Sequence, residues 1–150
     1  MAEHEHNTEV KLSVGHRHGL FQFLPYFLPV LLLYIFLEAV GVDLKAVHGS
    51  KDYTITWGEI LLILSAIVSL AEQLKVSNPG IDNTLEALTM VGMGVLQLVL
   101  FVLGAAGVVY FGMFAKSDFL VQTIISLSAA IVAVLINART LRRAIEFGGS

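Results

Sequence analysis

The feature that most constrains the fold is the recurrence of apolar stretches long enough to cross a membrane. A membrane-spanning helix needs about 20 mostly apolar residues. Four segments approach or reach this length, at about residues 21–42, 57–76, 85–113 and 119–138. We therefore predict an all-α membrane protein in which a bundle of four transmembrane helices occupies residues 21–147.

The overall composition supports a membrane protein and excludes some partners. Hydrophobic residues make up 56% of the chain and charged residues 14%, against about 45–50% and 25% in soluble domains. The net charge of −3 leaves no dense basic surface for a phosphate backbone, so we expect membrane lipid and no nucleic acid as a partner. The absence of cysteine excludes disulfides and thiolate metal sites.

The second segment, "WGEILLILSAIVSLAEQLKV", is the least certain of the four spans. Glu59, Glu72, Gln73 and Lys75 leave an uninterrupted apolar part only at residues 60–71. Either this helix spans with its carboxylates at the two interfaces, or it is an interfacial or bundle-buried helix. In the second case the chain has three spans, and its termini lie on opposite sides of the membrane.

The connections between the segments contain recognisable turn signals. "SNPGIDN" predicts a tight turn before the third helix. Asn83 followed by Glu86 resembles a capping box at the start of that helix. The longest link is residues 43–56, in which Thr54–Thr56 is expected to be extended but too short to form a sheet.

The distribution of basic residues predicts the orientation. With four spans, six lysines and arginines lie on one side and three on the other, which places both termini in the cytoplasm. The six are Lys11, Arg17, Lys75, Arg139, Arg142 and Arg143, and the three are Lys45, Lys51 and Lys116. In the basic tail at residues 139–150, the three arginines are expected to anchor the last helix at the anionic membrane surface, at about 1 kcal/mol each.

The polar tail at residues 1–20 contains histidines that invite a metal assignment. His4 and His6, then His16 and His18, form i, i+2 pairs with glutamates nearby. These pairs lack the spacing of a preformed helical site and have no visible supporting shell. We therefore predict a solvated or headgroup-facing tail and no metal site.

The sequence contains no pattern typical of an enzyme. A serine, histidine and carboxylate set, a glycine-rich phosphate loop and an HExxH motif are all absent. We expect no catalytic activity and no cofactor.

Among the ionisable residues near the spans, Glu72 with Gln73 is the best candidate for a proton or ion pathway. The alternative is that Glu72 pairs with Lys75, three residues later on the same helix.

Small and polar residues recur at helical spacing in three of the segments. Such residues let helices approach closely and hydrogen-bond across the contact, at roughly 0.6–2 kcal/mol for each bond. In the fourth segment they are Gln122, Ser126, Ala129, Ala130, Ala133 and Asn137. In the third they are Gly92, Gly94, Gly104, Ala105, Ala106 and Gly107. In the second they are Ser65, Ser69, Glu72 and Gln73. Either these strips seal a monomeric bundle, or at least one faces another subunit or a water-filled lumen.

The layout resembles the holin class of bacteriophage lysis proteins. The similarity lies in the small size, the closely spaced apolar helices, the polar strips and a last helix that ends in "NARTLRRAIEF". The resemblance implies an oligomer that permeabilises the bacterial inner membrane during host cell lysis. The strips would first form helix contacts between subunits and then face water in the lesion.

Two other functions fit the same sequence features. The chain could be an accessory or scaffold subunit whose strips dock against other membrane proteins. It could also be a small proton- or ion-linked channel or transporter that uses Glu72. Inducible expression separates the first two functions, because a holin-like protein collapses growth whereas a scaffold does not. Dependence on Glu72 under a proton gradient identifies the third.

Overall fold

The structure is a computed structural model that describes residues 24–76 and 83–148, without the side chains of residues 76, 83 and 143–148. The described chain is mostly helical, as predicted. Its elements in order are α1 (Phe27–Val40), β1 (Val47–Ser50), β2 (Tyr53–Thr56), α2 (Trp57–Val76), α3 (Asn83–Ala105), a 3-10 turn (Gly112–Phe114) and α4 (Ser117–Gly148).

Three of the described helices are long and apolar enough to cross a membrane: Trp57–Lys75, Thr84–Ala105 and Ser117–Arg142. This confirms the predicted helical fold with helices of membrane-spanning length, whereas the four-span count stays a prediction. The second segment, despite its charged residues, forms one of the long helices. The short helix is α1, whose 14 residues extend about 21 Å, less than the roughly 30 Å of a hydrocarbon core.

The end of α1 is set by a glycine. Gly41 adopts the left-handed conformation, with φ 80°. Its amide donates to the Glu38 carbonyl, and the Val42 amide donates to the Leu37 carbonyl. This pair of hydrogen bonds is the Schellman arrangement that terminates helices at glycine.

The link before α2 forms a β-hairpin, so the prediction that it contains no sheet is wrong. β1 pairs with β2 in antiparallel register, from Val47 opposite Thr56 to Ser50 opposite Tyr53. The pairing requires Gly49, which has φ 138° and where a Cβ atom would collide with the Tyr53 carbonyl oxygen. The short extended segment forms a sheet because the chain folds back and supplies its partner strand.

The hairpin leads directly into α2 through a capping box. The Thr56 hydroxyl oxygen accepts a hydrogen bond from the Glu59 amide at 3.2 Å, and the Glu59 carboxylate accepts one from the Thr56 amide at 2.7 Å. This reciprocal pair satisfies backbone donors at the start of the helix. Glu59 therefore has a local structural role at the hairpin end of the bundle.

The third helix ends at Ala105, earlier than the predicted end of the span at residue 113. Gly107, with φ 76°, closes a second Schellman arrangement in which its amide donates to the Gly104 carbonyl. The following turn packs tightly on the helix, since a Cβ atom at Gly104 would collide with the Phe111 carbonyl oxygen. The fourth helix, in contrast, continues beyond its predicted end at residue 138 into the basic tail.

Helix α4 packs against both α2 and α3. It runs antiparallel to α3, because the Thr84 hydroxyl donates to the Asn137 side-chain oxygen at 3.4 Å while Gly94 lies against Leu127. It runs parallel to α2, because Gly58 at the start of α2 lies against the Asp118 carboxylate. These contacts set the relative heights of the three helices.

Helix α1 is held by its middle and its C-terminal end against the loop that precedes α4. The Tyr34 hydroxyl donates to the Met113 carbonyl at 2.7 Å, and its ring packs in a buried aromatic cluster with Phe114 and Phe119. At the hairpin end, Lys116 donates to both carboxylate oxygens of Glu38, at 2.6 and 2.7 Å. The short helix is therefore tied to the loop that begins α4.

Candidate functional site: a buried polar column

The interior of the bundle contains eight polar side chains that are at most 6% exposed. Three lie on α2, two on α3 and three on α4. They are Ser65, Ser69, Glu72, Glu86, Gln97, Gln122, Thr123 and Ser126. We refer to these eight residues as the polar column.

The heights of the helices place these residues one after another along the bundle axis. The contacts at Gly58 and Gly94 put Ser65 level with Ile125 and Gln97 level with Ile124. The same register puts Glu86 at the height of Leu135. At 1.5 Å rise per residue, the polar column extends over about 20 Å, and successive members are at most about 4.5 Å apart in height.

Two of the four hydroxyl groups in the polar column direct their protons towards the helix backbone. Ser65 donates to the Leu61 carbonyl at 2.7 Å, and Thr123 donates to the Phe119 carbonyl at 2.8 Å. These are the hydrogen bonds to the preceding turn that serine and threonine form inside helices. The hydroxyl oxygens keep their lone pairs and can accept hydrogen bonds.

The two glutamines differ from Ser65 and Thr123 because they bury amide atoms that have no hydrogen-bond partner among the described residues. Neither Nε2 nor Oε1 of Gln97, nor Nε2 of Gln122, has a hydrogen-bond partner among the described residues. The two side chains are 0% and 1% exposed. A buried polar atom without a partner costs about 1–3 kcal/mol of folding stability. Three such atoms therefore destabilise the interior unless a guest molecule binds to them.

The end of the polar column farthest from the hairpin is charged. Glu86 forms an ion pair with Lys75, and these side chains are 4% and 9% exposed. The Lys75 ammonium also lies over the Tyr26 ring, 4.6 Å from its centroid. Glu72 accepts a hydrogen bond from the Tyr26 backbone amide at 2.9 Å. Charged side chains of α2 and α3 therefore lie close together here, beside the residue that precedes α1.

The ion pair corrects the alternative prediction that Glu72 pairs with Lys75. Lys75 forms its ion pair with Glu86 on the next helix, and Glu72 accepts a hydrogen bond from the Tyr26 backbone amide. Spacing along one helix identifies only neighbours on that helix. The position of Glu86 opposite Lys75 depends on the turn between α2 and α3, which the sequence pattern does not specify.

Comparisons of the chain with known proteins find no relative. No protein-family model matches it, and no match is found among the curated proteins or the solved structures. The chemistry of the polar column therefore has to be derived from its own residues.

The residues predicted as a contact or lumen strip mostly lie inside this single chain. Eight of them are buried in the bundle: Ser65, Ser69, Glu72, Gly104, Gln122, Ser126, Ala130 and Ala133. Gln73 and Asn137 are half-buried, and Gly107 lies in the turn after α3. Arg139 and Arg142 are exposed on α4, as expected of surface residues. The side chain of Arg143 and the histidines of the N-terminal tail lie outside the described part.

The alanines of α4 pack against alanine and methionine of α3. Ala130 and Ala133 form a buried cluster with Ala87 and Met90. Of the two α3 glycines nearest to this cluster, Gly94 contacts Leu127 of α4, whereas a Cβ atom at Gly92 would meet nothing within 4 Å. The α3–α4 contact is therefore formed by alanine and methionine at this end of the bundle.

Three members of the polar column were not identified from the sequence as part of a strip: Glu86, Gln97 and Thr123. Gln97 lies within an otherwise apolar helical segment, and a polar residue inside a span is itself a signal of a functional or packing role. Thr123 is adjacent to Gln122 and follows Phe119 by one helical turn. The pattern of small residues in α3 consists of its glycines and alanines, and it does not include the buried amide of Gln97.

Proposed function

We propose that this protein moves a proton or another small cation across a membrane along the polar column. The observation that carries the proposal is the run of eight buried polar side chains inside a bundle whose outward side chains are largely apolar. Ionisable and polar groups are costly within a bilayer, so they are retained mainly where they face a pathway or one another. A purely structural core at this position would be less costly if it were apolar.

Glu72 is the proposed carrier residue of the pathway. It is 2% exposed and lies in the charged end of the polar column. Its oxygens can accept hydrogen bonds when ionised and donate one when protonated, which allows the side chain to take up and release a proton. The neighbouring carboxylate of Glu86 is already engaged by Lys75.

The proposal includes the four-span arrangement, with both termini in the cytoplasm of a bacterial cell and the protein in its inner membrane. The positive-inside distribution supports this orientation. The hairpin, with Lys45 and Lys51, and the loop with Lys116 would then face the opposite side. The charged end of the polar column would lie at the cytoplasmic surface.

Purified protein in liposomes under an imposed proton gradient and membrane potential tests the proposal. We expect Glu72→Gln to lower the flux at least tenfold. The matched control is Glu59→Gln, which makes the same charge change on the same helix while glutamine still suits the capping box. Equal flux in the wild type and Glu72→Gln would contradict the proposal.

Holin-like permeabilisation is a second proposal, supported by the packing between α2 and α3. These two helices meet directly at few positions, with the Lys75–Glu86 pair across the gap between them. If the helices separated there, Ser65 and Ser126 could face other subunits or water. Inducible expression in a bacterium distinguishes the proposals, because a lesion releases large solutes and stops growth abruptly. Steady growth at high membrane abundance would contradict the holin-like proposal and leave a scaffold role as its alternative.

A further inference from the structure

We infer that the species moved along the polar column is a proton, carried over water held by Gln97 and Gln122, and not a bare alkali cation. This inference rests on the proposed function and names its substrate. It is derived from the amide groups of Gln97 and Gln122, which lie in the half of the polar column nearer the hairpin. They lie between the hairpin end and the charged end.

The amide groups require a guest that accepts hydrogen bonds. Each glutamine carries an NH2 group, and neither Nε2 atom has a partner among the described residues. Both amide atoms of Gln97 lack a partner, so for Gln97 the conclusion does not depend on which atom is assigned as nitrogen and which as oxygen. A metal cation accepts no hydrogen bond, whereas a water oxygen accepts from such donors.

The hydroxyl groups at the same height as the two amides supply hydrogen-bond acceptors. The protons of Ser65 and Thr123 are directed to backbone carbonyls, so their oxygens can act as acceptors. With the unpartnered Oε1 of Gln97, they can accept hydrogen bonds from a guest. Donors and acceptors are thus both present near one level, as water requires.

The proton transfer steps balance without any further reactant. A carboxamide neither gains nor loses a proton near neutral pH, so the glutamines orient water and do not relay protons themselves. A water that accepts a proton on one side releases another proton on the other side. At the charged end, the Glu72 carboxylate takes up the proton and then releases it towards the membrane surface.

The experiment compares proton flux with sodium and potassium flux in liposomes containing the full-length protein. The test variant is Gln97→Met, which keeps the length of the side chain and removes the amide. Gln97→Asn keeps an amide and serves as the conservative variant. Met93→Leu, one turn away in the buried face of α3, is the control for altered packing. The unfolding midpoint of each variant is measured in parallel.

We expect a wild-type proton flux that is unchanged when sodium replaces potassium, together with sodium and potassium fluxes at least tenfold smaller. We expect Gln97→Met to lose at least tenfold in proton flux at an unchanged or raised unfolding midpoint, and Gln97→Asn to retain more flux than Gln97→Met. Alkali flux as large as the proton flux, or wild-type proton flux in a folded Gln97→Met protein, would overturn the inference while the proposed function stands. A wild-type protein that moves no cation would refute both.

Discussion

The Lys75–Glu86 ion pair provides the sharpest test of how α2 and α3 are assembled. Its two side chains are only 9% and 4% exposed. Lys75→Met removes the positive charge while retaining an apolar side chain of similar length, and it leaves the buried Glu86 carboxylate without its ion-pair partner. Removing one member of a buried pair costs about 3–5 kcal/mol, so we expect a loss of this size in the free energy of unfolding.

The matched control is Lys116→Met, which breaks the ion pair with Glu38 at the hairpin end. Because the Lys116 side chain is 41% exposed, water screens this pair and the expected cost is about 1 kcal/mol or less. The double variant Lys75→Met with Glu86→Met removes both buried charges. It should recover most of the loss, since apolar residues commonly replace a buried pair at little cost.

Equilibrium unfolding in mixed micelles measures these differences. The single tryptophan of the chain, Trp57 at the start of α2, provides a fluorescence signal. If Lys75→Met cost no more than Lys116→Met, the pair would not be desolvated and the packing of α2 on α3 would be wrong. A double variant as unstable as the sum of its single variants would likewise refute a direct interaction.

Three further substitutions, two of them with a control substitution, test the helix ends and the α3–α4 contact by the same unfolding measurement. Gly104→Ala should destabilise by about 1–3 kcal/mol because the new methyl group meets turn backbone, whereas Gly92→Ala, which meets open space, should stabilise by up to about 1 kcal/mol. Equal effects would contradict the tight turn. Thr56→Ala should cost about 1 kcal/mol by removing the capping hydroxyl, and no loss would argue against the capping box. Ala133→Leu should cost about 1–3 kcal/mol through overpacking, while the outward Val134→Leu should change stability by less than about 0.5 kcal/mol.

The helical architecture was predictable because apolar runs of this length have few alternatives in a membrane. The residues at which the helices end were harder to predict from the sequence. The third segment stays apolar through Phe114, so hydropathy extends the helix past the turn at Gly107. Several glycines occur there, and which one adopts the left-handed conformation depends on how the following turn packs. The hairpin was missed for a related reason, since pairing needs a partner strand as well as an extended segment.

The polar face of each helix was partly predictable, because helical spacing identified Ser65, Ser69, Gln122 and Ser126 as neighbours on their own helices. Their common burial within one chain was not predictable, since the same residues would suit a contact between subunits. The partner of Lys75 depends on the heights of two helices. That relation is set by long-range packing.

The most direct test of the polar column replaces a serine hydroxyl by the methyl groups of valine on either face of α4. Ser126 is 4% exposed within the column, whereas Ser128 lies on the outer face of the same helix. In liposomes, Ser126→Val should lower proton flux at least tenfold and Ser128→Val should leave it within twofold, with both proteins folded. Equal flux in the two folded variants would contradict a pathway through the bundle interior.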